Sequence, residues 1–212
     1  MDFTIRKEQE SDYRTVEELT REAFWDLHVQ GCDEHYLVHT MRSHPDFIPE
    51  LDFVAVFDNM IIGNIMYTRS KITNVKFGEI ETLTFGPLSI LPAFQRQGVG
   101  SALIRHSLKA ASGLGYKTVI INGYPHNYCK HGFKGSRSLG ISDAQGKYPF
   151  SLLVLQMEPG LPEGHQWKFI ESEAYHLDPD ASSEFDKQFP YKKKEFRPSQ
   201  EEFAIACRSY VE

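Results

Sequence analysis

Cysteine is scarce in this chain: three in 212 residues, Cys32, Cys129 and Cys207, odd in number and far apart. That spacing fits free thiols better than a disulfide framework, so a reducing, cytoplasmic setting is expected. No run of about 18 or more apolar residues occurs, so no membrane-spanning helix and no membrane partner are expected. The N-terminal stretch lacks a basic start followed by an apolar core and does not read as a secretory signal. A basic surplus is missing too: 23 Lys and Arg against 29 Asp and Glu give a formal net charge of −6. Binding an extended phosphate backbone needs Lys and Arg massed on one face, so no nucleic-acid partner is expected. A small anionic ligand needs only a local positive potential and stays open. No internal repeat is visible.

What the chain has in quantity is core material, with 41% hydrophobic residues, fifteen Phe and ten Tyr. That suffices for one domain of ordinary size with an appendage. Residues 3–6 alternate as a short strand. Ser11 or Asp12 can cap a helix whose apolar stripe is Val16, Leu19, Ala23 and Phe24. A second helix is predicted from Asp33 to about Arg42, ended by His44-Pro45 because the residue before proline avoids the α region. Residues 51–57 and 60–68 read as the arms of a hairpin turning at Asp58-Asn59. Residues 79–91 form another strand, interrupted at Gly86-Pro87, where a bulge or a break in pairing is expected. A helix following Gly98 carries Ser101, Arg105 and Lys109 as one polar face and apolar residues over most of the rest. Gly113 or Gly115 can supply its left-handed C-terminal residue. Residues 117–122 read as an interior strand, and residues 152–156 as the last strand of the sheet. This gives a domain over residues 1–157. Residues 158–212 are polar and punctuated by proline but rich in aromatics, and are read as an ordered extension lying on the domain or on a partner subunit, as in a homodimer. Ser199 to Glu202 looks like a capping box before Phe203, Ala206, Cys207 and Tyr210 at helical spacing.

The stretch Gln95-Arg96-Gln97-Gly98-Val99-Gly100-Ser101 stands where a strand gives way to a helix. Small residues let the backbone approach a ligand, and the first helical turn offers unpaired N–H groups. With the helix dipole these make an anion site, for which a diphosphate is the natural guest. A glycine-rich turn with no ligand remains the bland alternative.

The wider pattern resembles the GNAT superfamily of N-acetyltransferases: Pro-Leu-Ser-Ile-Leu-Pro at 87–92, then Gln95-x-x-Gly98-x-Gly100, then an amphipathic helix. Tyr128, separated by three residues from Gly132-Phe133, looks like that superfamily's second signature. The subgroup it resembles is bacterial, with largely unassigned substrates. The resemblance implies an α/β fold with a mixed, twisted sheet of six or seven strands and helices on both faces. It implies acetyl-CoA as co-substrate, with no metal, and an acceptor that is a small-molecule or protein amine. The pantetheine arm would run along Leu88, Ser89 and Ile90, and the diphosphate would sit over the amides of Gln97, Gly98, Val99, Gly100 and Ser101, with Gln95 and Arg96 also binding the cofactor. A neutral amine would attack directly, a main-chain N–H near Leu88 would hold the oxyanion, and Tyr128, also at the cofactor, would protonate the departing thiolate. The bland alternative for Tyr128 is a core aromatic. The acceptor pocket would be built by the first two helices and the segment after Phe133.

Glu79 and Glu81 share one strand face, and Glu81 is the candidate base, although charged strand residues are more often merely solvated. His126, Cys129 and His131 are three potential metal ligands within six residues with no fourth nearby, a poor zinc site, and metal binding is not expected. Lys192, Lys193 and Lys194 read as a solvated charge run. The rival to an enzyme is a sensor module that binds CoA on the same fold without turnover.

Overall fold

The computed structural model describes residues 1–161 and 166–212. Its strands are β1 (Thr4–Lys7), β2 (Phe53–Phe57), β3 (Met60–Asn74), β4 (Gly78–Ile90), β5 (Thr118–Asn122), β6 (Lys134–Gly135), β7 (Ile141–Ser142), β8 (Leu152–Gln156) and β9 (Trp167–Ile170). The main helices are α1 (Tyr13–Phe24), α2 (Glu34–Met41), α3 (Val99–Gly113), α4 (Pro125–Tyr128), α5 (Pro179–Asp186) and α6 (Pro198–Cys207). The strands form one mixed sheet in the order β1-β2-β3-β4-β5-β8-β6, with β9 beside both β3 and β7. Seven of these strands have four residues or more, as expected. The two further strands, β6 and β7, have only two residues each, too few to leave an alternating pattern in the sequence. Among the described residues no helix is long and apolar enough to cross a membrane.

Period-two alternation decides which helix packs where. Val54 and Ile61 meet Val16 and Leu19 of α1, and Met66 meets Leu37, Val38 and Met41 of α2. The intervening residues Phe53, Ala55, Ile65 and Tyr67 join Val99, Leu103 and Ile104 of α3 in the main core. Helices therefore cover both faces. The hairpin turns where expected: Asp58 and Asn59 both have positive φ, +47° and +61°, as a primed two-residue turn requires. Gly115, at φ +90°, is the left-handed residue after α3. At Gly63 a Cβ would stand 2.7 Å from Ile90 Cδ1 and 3.1 Å from Leu103 Cδ1, so the bare backbone lets α3 settle on β3 and β4.

The sheet does not stop at β8. β9, from beyond residue 157, pairs with β3 through Lys71–Ile170, Ile72–Phe169 and Thr73–Lys168. Its Trp167 and Phe169 pack with Ile72, Ile120, Leu152 and Val154 on the sheet face opposite α3. The apolar pattern of β3 fades near Thr68, yet the strand runs to Asn74; its polar second half finds hydrogen-bond partners on both edges, β4 and β9.

Residues 166–212 lie against their own domain. Arg21 of α1 donates to Asp186 at 2.7 Å, the Trp25 indole N–H donates to Lys193 O at 3.0 Å, and Phe203 stacks on His28 at 4.4 Å. Lys192 is not merely solvated: it reaches Glu22 at 2.6 Å. The expected capping box at Ser199 does not form. Pro198 occupies the first helical position, which its fixed φ suits, so Ser199 falls inside the first turn and Arg197 becomes the cap residue. The part of the expected extension at 162–165 lies outside the described residues.

Candidate active site

The site is a gap in the sheet. β4 follows β3 along its whole length, with register pairs from Gly78–Asn74 to Ile90–Gly63. The ladder slips once: Ile65 faces Leu88 and Tyr67 faces Phe85, so Gly86 and Pro87 together oppose Met66. This is the bulge expected from Gly86-Pro87. On its other edge β4 meets β5 in parallel at a single register pair, Leu83–Val119. Beyond that pair the strands diverge. β5 continues to Asn122 paired with β8, while Leu88, Ser89 and Ile90 keep an edge free of β5. Ser89 is fully buried and its hydroxyl meets that of Thr20 on α1 at 3.0 Å, so α1 is tied to the free-edged segment.

At the far end of β4 the chain makes a 3-10 turn over Pro92–Phe94 and enters α3 through Gly98. Arg96 and Gly98 both have positive φ, +59° and +90°. The first bond closing inside the helix is Ala102 N–H to Gly98 O at 3.0 Å, which leaves the Val99, Gly100 and Ser101 N–H groups without helical acceptors. Among the described residues no side chain caps them. Instead the Gln95 amide turns back to Ile90 O at 3.1 Å and the Gln97 amide to Ala93 O at 2.8 Å. A Cβ at Gly98 would meet nothing within 4 Å. The turn is thus open, with aligned N–H groups and the positive end of a 15-residue helix facing outward.

Tyr128 ends α4 just past β5 and packs on the α3 side of the sheet, its ring 5.8 Å from that of Phe85 and 6.0 Å from that of Phe133. The hydroxyl has no hydrogen-bond partner among the described residues, and burial pushes its pKa up to about 12. Gly132, at φ +92°, makes the turn that sends Phe133 into the core behind it.

The candidate base of the sequence reading lies elsewhere. Glu81 faces Lys71 on β3, before the strands diverge; its side chain is 57% exposed, 4.0 Å from Arg69. A carboxylate that the sequence did not single out is at the gap. Glu171, the residue after β9, accepts from Asn122 Nδ2 at 3.2 Å, and burial raises its pKa above the usual carboxylate value. Four residues on, the Tyr175 hydroxyl donates to Gly86 O at 3.2 Å. Gly86 and Asn122 each lie three residues beyond the Leu83–Val119 pair, so residues 171–175 bridge the two diverging strands. No local pattern in the sequence flags Glu171, because only pairing of β9 with β3 brings it there. Among the described residues no group of three or more His, Cys, Asp or Glu forms a metal site, and the three cysteines are free.

The family pattern described as "Acetyltransferase (GNAT) domain" matches residues 50–135, the stretch that contains the gap and the open turn. Residues 50–135 are thus similar to a GNAT acetyltransferase domain. A relative, the uncharacterized N-acetyltransferase YjhQ of Escherichia coli K12, is 27% identical over 135 residues, covering 62% of this chain and 70% of its own. The fold is similar to that of the GNAT family N-acetyltransferase YhbS from Escherichia coli, solved with CoA: TM-score 0.70, 20% identity, 82% of this chain and 92% of that one. It is also similar to a GNAT family acetyltransferase from Brucella melitensis, solved with acetyl-CoA: TM-score 0.64, 24% identity, 82% of this chain and 98% of that one.

Proposed function

We propose that this GNAT domain transfers an acetyl group from acetyl-CoA to a primary amine by direct attack in a ternary complex. One observation carries the reading: the open turn at Gly98, with its unpaired N–H groups, stands at the end of the strand edge left free by the diverging β5. The two solved relatives bind CoA and acetyl-CoA, which supports the same co-substrate here.

Each part of the co-substrate has a chemical counterpart. The diphosphate is an anion suited to the Val99, Gly100 and Ser101 N–H groups, with Gln95, Arg96 and Gln97 at the rim of the turn. The pantetheine arm carries amides, which suit the edge of β4 at Leu88, Ser89 and Ile90 that β5 leaves free. A main-chain N–H near Leu88 would hold the oxyanion; such a fixed donor often lowers the barrier to acyl transfer more than any other single group. Tyr128 supplies a hydroxyl with no competing partner among the described residues. At about 12 its pKa exceeds that of an ordinary thiol by about 3 to 4 units. The phenol therefore stays protonated at neutral pH and assists by hydrogen bonding to the departing sulfur as the C–S bond breaks, rather than by early proton transfer.

The test is thiol release from acetyl-CoA across a panel of amines. Turnover is expected, with kcat reduced about 10- to 100-fold in Tyr128→Phe and CoA affinity unchanged. Tight CoA binding with no thiol release on any amine would instead favour a non-catalytic CoA sensor.

A further inference from the structure

Direct attack needs a neutral amine, whereas alkylamines arrive as ammonium ions. We infer that Glu171, contributed from beyond β8 and held by Asn122 at the mouth of the β4–β5 gap, takes the proton from the incoming ammonium. The inference rests on the acetyl-transfer reading and deepens it by naming the base and the face from which the acceptor enters.

Three geometric facts carry it. Asn122 Nδ2 fixes one oxygen of Glu171 at 3.2 Å, at the end of β5. Tyr175, on the same segment, is tied to Gly86 O at the β4 bulge, so Glu171 is set between the two strands whose divergence makes the gap. Finally, Asn122 alternates with Val119 and Ile121, which face α3, so it and Glu171 lie on the sheet face opposite Tyr128. A proton acceptor and a hydroxyl donor thus stand on opposite faces of one opening. That is the arrangement needed if the amine enters from one side and the sulfur departs toward the other. A partly buried carboxylate also attracts a cation, which favours ammonium-bearing acceptors.

The balance is simple. The ammonium gives one proton to the Glu171 carboxylate, and the free amine lone pair then forms the C–N bond to the thioester carbon. The C–S bond breaks with its electron pair on sulfur, the second nitrogen proton ends on that sulfur, and Glu171 returns its own proton to solvent. The groups facing Glu171 are Asn122 and His176, which favour its charged form, and the Tyr175 hydroxyl beside it; desolvation opposes them and is the largest influence. The net result is a carboxylate that binds a proton more readily than one in water, as a base should.

The experiment uses the full chain and whichever of benzylamine, spermidine and an alanine-led tripeptide the wild type acetylates fastest, with aniline as the weakly basic comparison. Glu171→Gln keeps the size of the side chain and an acceptor for Asn122. It is expected to lower kcat/KM for the alkylamine about 100-fold near pH 7, with CoA affinity unchanged. The deficit should close as the pH approaches the ammonium's own pKa, and should vanish with aniline, which is already neutral. Asn122→Ala, which removes a bond favouring the charged form, should move the acidic limb of the pH profile upward. An equal loss on aniline and alkylamine, or no loss on either, overturns the role of Glu171 while leaving acetyl transfer standing. If the wild type binds CoA but releases thiol with none of these amines, acetyl transfer itself fails, and the base with it.

Discussion

Gly123 lies flat against the ring of Tyr128: a Cβ at position 123 would stand 3.0 Å from Tyr128 Cδ2 and closer still to Cε2. The glycine is what lets the tyrosine sit at the end of β5 rather than swing away from it. Gly123→Ala should therefore push the ring out while leaving the open turn at Gly98 untouched. Thiol release should fall about 100-fold, the cost expected of a displacement near 1 Å, with CoA affinity kept. A rate equal to wild type would mean that the position of Tyr128 does not matter.

Gly98 combines a positive φ of +90° with empty space where a side chain would begin. Gly98→Asn tolerates the left-handed conformation and should retain most of the CoA affinity, at about 1 kcal/mol of stability. Gly98→Glu sets a carboxylate beside the unpaired N–H groups and should abolish CoA binding. Isothermal titration of both variants checks this, and equal affinities would show that no anion is held at this turn.

Arg21 is the anchor for α5. Its side chain is 5% exposed and paired with Asp186, and its guanidinium lies 4.2 Å over the Trp25 ring. Asp186→Ala leaves that cation buried without its carboxylate and should cost about 3 kcal/mol, read as a shift in the urea midpoint. A change below about 0.5 kcal/mol would place this contact with ordinary surface pairs.

Asp52 offers a pH test. It is 4% exposed, accepts from Asn64 Nδ2 at 3.0 Å and sits beside Glu8, which Arg42 holds at 2.8 Å. Burial and the hydrogen bond to Glu8 raise its pKa well above the usual carboxylate value. The folded state therefore binds this proton more tightly than the unfolded chain. That contribution to stability is complete below about pH 4 and is lost as the pH rises through the raised folded value. Asp52→Asn should remove this part of the decline, so that the urea midpoint against pH is flatter than in the wild type. Parallel curves for the two proteins would contradict the protonated state.

Much of this architecture is legible in the sequence because it is written in local rules. Alternation marks β2 and β3, the turn chemistry of Asp58-Asn59 marks their hairpin, and Gly86-Pro87 marks the bulge. The junction at Gly98 is readable because a left-handed residue and a first helical turn leave a short, dense trace. What escapes depends on pairing across long separations. β9 meets β3 about a hundred residues away, and Glu171 reaches the gap only through that pairing. Glu81 is attractive because it precedes the free edge of β4, yet the strands diverge only after Leu83, and Glu81 stays outside with Arg69. The cap of α6 differs from its sequence pattern because Ser199 competes with Pro198, whose ring suits the first helical position.

Whether main-chain N–H groups at the entrance to α3 hold the diphosphate can be read from a crystal structure of the full chain with CoA. Diphosphate oxygens are expected within about 3 Å of the Val99, Gly100 or Ser101 nitrogens, with the pantetheine arm along Leu88, Ser89 and Ile90. Phosphates bound at another surface, with those N–H groups facing only water, would contradict this placement.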